Sequence, residues 1–208
     1  MKIQILVDNP DSWIWPYERE LRERLSLDHD AQLISNQREV SKGDILCLLS
    51  CEHIFKKLDL NKHNLVVHES SLPKGRGWSP LTWQILEGTN EIPISLFEAE
   101  LSVDSGVIYY EDRIKFSGHE LLAELKDMQG KKTIELIMKF VQDYPRVKGR
   151  SQTGEATYYR RRTAQDSQIS IHKTIDDQFN LLRVCDNQRY PAFFVRDGIR
   201  YLVKIEKE

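Results

Sequence analysis

Long apolar runs are missing from this 208-residue chain; stretches such as ILCLL at 45–49 are far too short to cross a bilayer. The apolar segment after Met1-Lys2 ends at Asp8, too early for an ordinary secretory signal. One-sided charge is missing as well. A net charge of −2 gives no field over the whole molecule that would draw in nucleic acid or anionic lipid. Cysteine is scarce, and Cys47, Cys51 and Cys185 are an odd number in a medium-sized chain. Reduced thiols in a cytoplasm are therefore expected rather than a disulfide framework. Cys47, Cys51 and His53 do not start a zinc site, because no second CxxC or HxxxH pair completes them; no metal is expected. Neither GxGxxG nor GxxxxGK[ST] follows the first apolar run, where DNPDSW stands, which speaks against dinucleotide enzymes and P-loop kinases. The GxSxG nucleophile elbow, internal repeats and coiled-coil heptads are absent too.

What is present is enough for one good-sized core: 40% hydrophobic and 30% charged residues are ordinary for a folded globular chain. KIQILV (2–7), AQLIS (31–35), DILCLLS (44–50) and NLVVHES (64–70) read as buried strands. PYERELRERLS reads as a helix with Tyr17, Leu21 and Leu25 on one face. CEHIFKKL reads as a short helix, and SPLTWQILEG as one capped by Ser79 and stopped at Gly88. IPISLFEAE and VIYYEDRIKF alternate like strands, and residues 118–142 are helical in spacing with an interruption near Gly130. Strand and helix alternate, which predicts a Rossmann-like, open, largely parallel α/β sheet with helices on both faces. From about residue 145 the texture becomes basic and rich in Gly, Ser and Thr. TIDDQFNLLRVCDN then returns to helix with Thr174 as cap, and YPAFFVRDGIRYLVKI carries a hairpin signal at Asp197-Gly198. The expected division is 1–145 as the main domain and 146–208 as linker plus a small appendage containing the β-hairpin. The hairpin's free edge also suggests a surface for a possible homodimer.

In open α/β sheets, ligands lie outside the carboxyl ends of the strands. His68 ends the fourth strand, and HESSLPKGRGWSP (68–80) is a stiff, polar turn. Downstream, LSVDSGVIYY places Asp104 in a tight loop beside Gly106. If the two loops share one sheet edge, the carboxylate can orient His68 and fix its tautomer. On the residues alone, two unrelated loop positions are the readier reading, with Asp104 making a local Asx-turn.

VVHESSLPKGRGWSP, a helix ending at Gly88, an alternating strand and VDSG together resemble the folate-dependent formyltransferases, above all bacterial sugar N-formyltransferases. His68, Ser70, Leu72, Pro73, Arg76, Gly77 and Pro80 match the histidine-led turn, and Asp104 with Gly106 the D-x-G loop, over about residues 64–110. The family usually carries an asparagine two residues before the histidine, whereas Val66 stands here and Asn64 lies four before. The resemblance implies His68 and Asp104 as catalytic residues and N10-formyltetrahydrofolate as formyl donor. Arg76, Gly77, Leu101, Val103, Ser105 and Gly106 would line the donor. Ser70, Trp13 and Trp78 would meet the acceptor, with Trp15 nearby.

A tRNA acceptor would favour a more basic surface. The exception is 146–173, where Tyr158 and Tyr159 stand beside Arg160, Arg161 and Arg162, either as a solvated linker or as a patch for base and phosphate. The expected partner is a nucleotide-linked amino sugar, with no nucleic acid and no membrane. Three other readings stay open: formylation of another amine such as an aminoacyl-tRNA, delivery of the formyl group to water, and a binding module without catalysis.

Overall fold

The computed structural model describes residues 1–208. Its strands are β1 (Lys2–Leu6), β2 (Asp30–Ile34), β3 (Gly43–Leu48), β4 (Asn61–His68), β5 (Arg76–Gly77), β6 (Glu91–Glu98), β7 (Ile108–Lys115), β8 (Tyr158–Tyr159), β9 (Ala192–Arg196) and β10 (Ile199–Val203). The α-helices are α1 (Trp15–Leu25), α2 (Pro80–Leu86), α3 (Leu122–Asp143) and α4 (Phe179–Arg183). Six strands make the central sheet in the order β2-β1-β3-β4-β6-β7. The first four pair in parallel, and β6 and β7 are added antiparallel. The expected α/β class, with its largely parallel sheet, is the one found.

Period-two alternation sorts the two cores. Ile3, Ile5 and Val7 face Leu21 and Leu25 of α1 and Ile134, Ile137 and Phe140 of α3 in the larger cluster. Leu6, Leu46 and Leu48 face the other way and meet Ile34, Val40 and Phe55, with Leu58 and Leu60 of a 3-10 turn packed against them. β1 runs out to β2 on one side and its next parallel neighbour β3 lies on the other, so the order reverses between β1 and β3. The ends of β1, β3 and β4 therefore open onto one edge, and His68 is the last residue of β4.

Four local expectations are corrected. α3 runs unbroken from Leu122 to Asp143, because Gly130 is a packing notch and no interruption. A Cβ there would lie 2.5 Å from the Tyr17 ring, which occupies the space. CEHIFKKL is not helical: the Asp8 carboxylate draws in the Glu52 and His53 amides at 2.7 and 3.1 Å and holds that segment extended. Ser79 does not cap α2; it lies at φ +53° and makes no side-chain cap bond. TIDDQFNLLRVCDN gives only a 3-10 turn and the five-residue α4, although Thr174 does cap it, accepting from the Asp177 amide at 3.1 Å.

After Tyr144 the chain crosses back over the sheet before reaching α4 and the β9–β10 hairpin. That hairpin turns at Asp197 and Gly198, both with positive φ. The terminal segment has its own small cluster of Ile169, Leu182, Cys185 and Ala192. Arg183, almost fully buried, ties it to the rest through Asn90 Oδ1 at 3.1 Å. No helix is long and apolar enough to cross a membrane.

Candidate active site

His68 and Asp104 converge. The His68 imidazole, buried at the end of β4, has Nε2 2.9 Å from the Gly75 carbonyl oxygen and 3.6 Å from Asp104 Oδ2. The same carboxylate oxygen accepts the Gly77 amide at 2.9 Å. With Nε2 facing a carbonyl that can only accept, the proton in the neutral imidazole belongs on Nε2. The Gly75–Gly77 turn thus sets the ring's tautomer and presents the carboxylate with a backbone donor. Asp104 itself sits at φ +51°, a left-handed conformation that aspartate tolerates better than most non-glycine residues and that its surroundings hold here.

Those surroundings come from beyond residue 145. β8 pairs in parallel with β5, so that the Arg76 amide donates to the Thr157 carbonyl at 2.9 Å and the Trp78 amide to the Tyr159 carbonyl at 3.3 Å. Gly75 donates to Thr157 Oγ1 at 2.9 Å. Gly77 has no alternative as a residue: a Cβ would meet the Tyr159 carbonyl oxygen at 2.4 Å. Gln152 donates through Nε2 to the carbonyls of Asp104 and Gly106 at 2.8 and 2.9 Å, and accepts Arg76 Nη2 at 2.6 Å. Tyr159 in turn stacks on Trp83 of α2 and donates to Glu87 at 2.8 Å.

The other expected residues are distributed as follows. Leu101 and Val103 are exposed on the Asp104 loop, at 66% and 42%, an apolar surface beside a polar pair. Ser105 spends its hydroxyl on the Ser102 carbonyl at 2.8 Å. Gly106 allows the loop to lie against β6, since a Cβ would meet the Glu98 carbonyl oxygen at 1.8 Å. Ser70 is buried at 2% with an unpartnered Oγ, and its carbonyl accepts Ser95 Oγ at 2.8 Å. Trp78 is part-exposed next to β5, with the Arg161 guanidinium over its ring at 4.8 Å. Trp13 packs on the α1–α3 side, 5.9 Å from the Tyr17 ring and beneath Lys126 Nζ at 4.2 Å. It joins the site only through a relay, because Lys126 donates to Gln129 and Gln129 to the buried Glu69 carboxylate at 2.7 Å. Trp15 bonds the Asn9 carbonyl through its indole N–H.

Val66 shares a face of β4 with His68 and packs against the Leu72, Phe97 and Ile108 cluster, so no amide is presented there. Asn64 is occupied elsewhere, donating to the Leu58 carbonyl at 2.9 Å. The basic stretch is also committed: Arg160 pairs with Asp166 and covers Trp83, Arg161 approaches Glu52 at 3.7 Å, and Arg162 donates to the Asp166 carbonyl. Burial pushes the Cys47 and Cys51 thiols up to about 12, away from thiolate chemistry. No group of three or more His, Cys, Asp or Glu side chains is arranged to hold a metal ion. Gln152, Thr157 and the Glu69–Gln129–Lys126 relay are not singled out by sequence, and Tyr159 is read there as part of a basic stretch rather than as a strand partner of β5. The only signal was the compositional one, a polar and aromatic stretch without a period.

An open α/β sheet that brings a histidine and an aspartate together at its carboxyl edge, under a strap from the following segment, defines a formyltransferase-type fold. In sequence the chain is similar to methionyl-tRNA formyltransferases, and in fold to formyltransferases. No family model matches it. It is 34% identical over 104 residues to methionyl-tRNA formyltransferase of Finegoldia magna, a match covering 49% of this chain and 34% of the relative. The chain spans about a third to just over half the length of the curated relatives it matches. In fold it superposes on methionyl-tRNA formyltransferase from Clostridium thermocellum with a TM-score of 0.84 at 21% identity, covering all of this chain and 93% of that one. A 4-N formyltransferase from Francisella tularensis gives 0.72 at 16%, covering 100% and 98%. HypX from Aquifex aeolicus in complex with tetrahydrofolic acid gives 0.80 at 15%, covering 99% of this chain and 37% of that one.

Proposed function

We propose that this chain is an N-formyltransferase that moves a formyl group from N10-formyltetrahydrofolate to the amine of a nucleotide-linked amino sugar, in the cytoplasm. The observation that carries the reading is the 3.6 Å approach of His68 Nε2 to Asp104 Oδ2 at the carboxyl edge of β4. The donor suits the residues present: exposed Leu101 and Val103 offer an apolar wall to a flat pterin beside the pair. A relative solved with tetrahydrofolic acid shares the fold.

In this reading the neutral amine attacks the formyl carbon, a C–N bond forms, and negative charge gathers on the formyl oxygen. Collapse breaks the bond to N10, which takes a proton, while the former amine gives one up. His68 delivers its Nε2 proton to the oxyanion or to the departing N10, for which the ring turns from the Gly75 carbonyl that Nε2 meets at 2.9 Å. Asp104 holds the ring and accepts the amine's proton through water.

Two observations favour a small acceptor over a tRNA. Arg160, Arg161 and Arg162 are engaged within the chain, and the net charge is −2. Relatives of this chain include enzymes named for methionyl-tRNA, so an aminoacyl-tRNA is the second reading.

The test is tetrahydrofolate release from N10-formyltetrahydrofolate with and without a panel of nucleotide-linked 4-amino sugars and an aminoacyl-tRNA. Release that requires an amino sugar supports the proposal. Release without acceptor makes the chain a hydrolase, release with tRNA alone moves the acceptor, and silence throughout leaves a binding module.

A further inference from the structure

Gln152 lies outside the turn and loop that carry the reacting pair, yet its side chain spends all its hydrogen-bonding strength on them. One amide nitrogen reaches the carbonyls on either side of Ser105, those of Asp104 and Gly106, and the oxygen takes Arg76 Nη2. Asp104 has positive φ and Gly106 is pressed against the Glu98 carbonyl, so the loop between them is a constrained arch. Two carbonyls that converge on one side of such an arch repel each other unless a donor sits between them. Gln152 supplies that donor, and no other side chain bonds either carbonyl.

The same residue joins the loop to the turn. Arg76 is one end of β5, whose Gly77 amide holds Asp104 Oδ2, and whose neighbour Gly75 holds His68. Gln152 therefore closes a ring of contacts: Asp104 carbonyl, Gln152, Arg76, Gly77 amide, Asp104 carboxylate. We propose that Gln152 is a positioning residue for the reaction, fixing the Asp104 carboxylate against His68 by locking the 104–106 arch onto the Arg76–Gly77 turn. This rests on the reading of His68 and Asp104 as the reacting pair. It touches neither substrate.

The glutamine's two ends can be separated. Gln152→Glu keeps the acceptor for Arg76 and removes the donor between the carbonyls. Gln152→Met keeps the length and removes all three bonds, and serves if the glutamate variant folds poorly. Two readouts on the full chain decide. The first is the Gly77 amide proton shift in ¹H–¹⁵N spectra, which reports the Asp104 carboxylate without needing turnover. It is expected to move upfield in Gln152→Glu and Gln152→Met, in the direction given by Asp104→Asn. The second is steady-state kinetics: kcat is expected to fall by about 10- to 100-fold, with both KM values within twofold, as displacement of a reacting group by an ångström would cause. Thermal midpoints within a few degrees of wild type accompany the loss.

An unmoved Gly77 signal with unchanged kcat overturns the proposal and leaves Gln152 as a strap anchor. A raised KM with unchanged kcat also overturns it, making the residue a binding group. If the wild-type chain transfers no formyl group but the Gly77 signal still moves, the clamp on Asp104 stands and the reading of the pair as formyl-transferring falls.

Discussion

His68 and Asp104, separated by 36 residues, meet over a single turn: Gly75 offers its carbonyl to the imidazole and Gly77 its amide to the carboxylate. The turn gives each partner a complementary backbone group, so removing one partner leaves the other held. His68→Ala and Asp104→Asn are each expected to lower formyl transfer by about 10²–10⁴-fold while donor binding changes little. Tetrahydrofolate release and a fluorescence titration with the donor check the two halves separately; loss of binding alongside turnover in both variants would make the pair a ligand site.

Val66 packs against Leu72, Phe97 and Ile108 at the position where the formyltransferases that the sequence resembles usually carry an asparagine. Val66→Asn is expected to raise kcat for the proposed reaction, since one oxyanion donor is worth about 10²–10³-fold where it is well aimed. It should also lower stability by about 1–3 kcal/mol, because an amide enters the Leu72, Phe97 and Ile108 cluster. Unchanged turnover in a folded variant would assign the oxyanion to a donor elsewhere, with the unpartnered Ser70 Oγ the next to substitute.

Glu18 is fully buried on α1, and neither of its carboxylate oxygens has a hydrogen-bond partner. Burial pushes it up from its ordinary 4.5 to about 7, against a smaller opposing pull from Arg19. Between those values the folded chain holds a proton that the unfolded chain has released. The associated stability is fully present below about pH 4.5 and is lost as pH rises through 7. Glu18→Gln removes the loss, and at about 1.4 kcal/mol per pH unit it should exceed wild type by up to roughly 3 kcal/mol at pH 8. Near pH 4.5 the two should match. Denaturant unfolding at both pH values checks the sign; a variant less stable than wild type at pH 8 would mean the carboxylate is ionised and paired.

Gly130 and Tyr17 share one space between α3 and α1. Alanine is the better helix former by about 1 kcal/mol, yet Gly130→Ala is expected to destabilise by about 1–3 kcal/mol through the ring clash. In a double-mutant cycle with Tyr17→Ala the penalty should vanish and the helix gain reappear. Additive effects in thermal or denaturant melts would show that the ring moves aside freely.

The sheet was legible because alternation along KIQILV, DILCLLS and NLVVHES is a local signal, and so was the strand end that delivers His68. Pairing of β5 with β8 was not, since two residues against two others leave no period, and TYYRRR read as basic linker. Gly130 was misread as a break because a glycine's notch role depends on Tyr17, which lies on another helix. CEHIFKKL has helical composition, but its amides answer to Asp8 more than forty residues earlier in the chain. Ser79 has the right chemistry for a cap and the wrong backbone angle for it. At Gly130 and in CEHIFKKL a distant partner overrode a nearby preference.

The β5–β8 pairing bears on when the protein becomes competent during synthesis. A ribosome releases His68 and Asp104 well before Gln152, Thr157 and Tyr159, so the emerging chain can assemble its sheet while the arch around Asp104 still lacks its keystone. The strap should thus dock only once residues 152–159 have emerged, and a stalled nascent chain ending near residue 145 would carry His68 and Asp104 without the segment that aligns them.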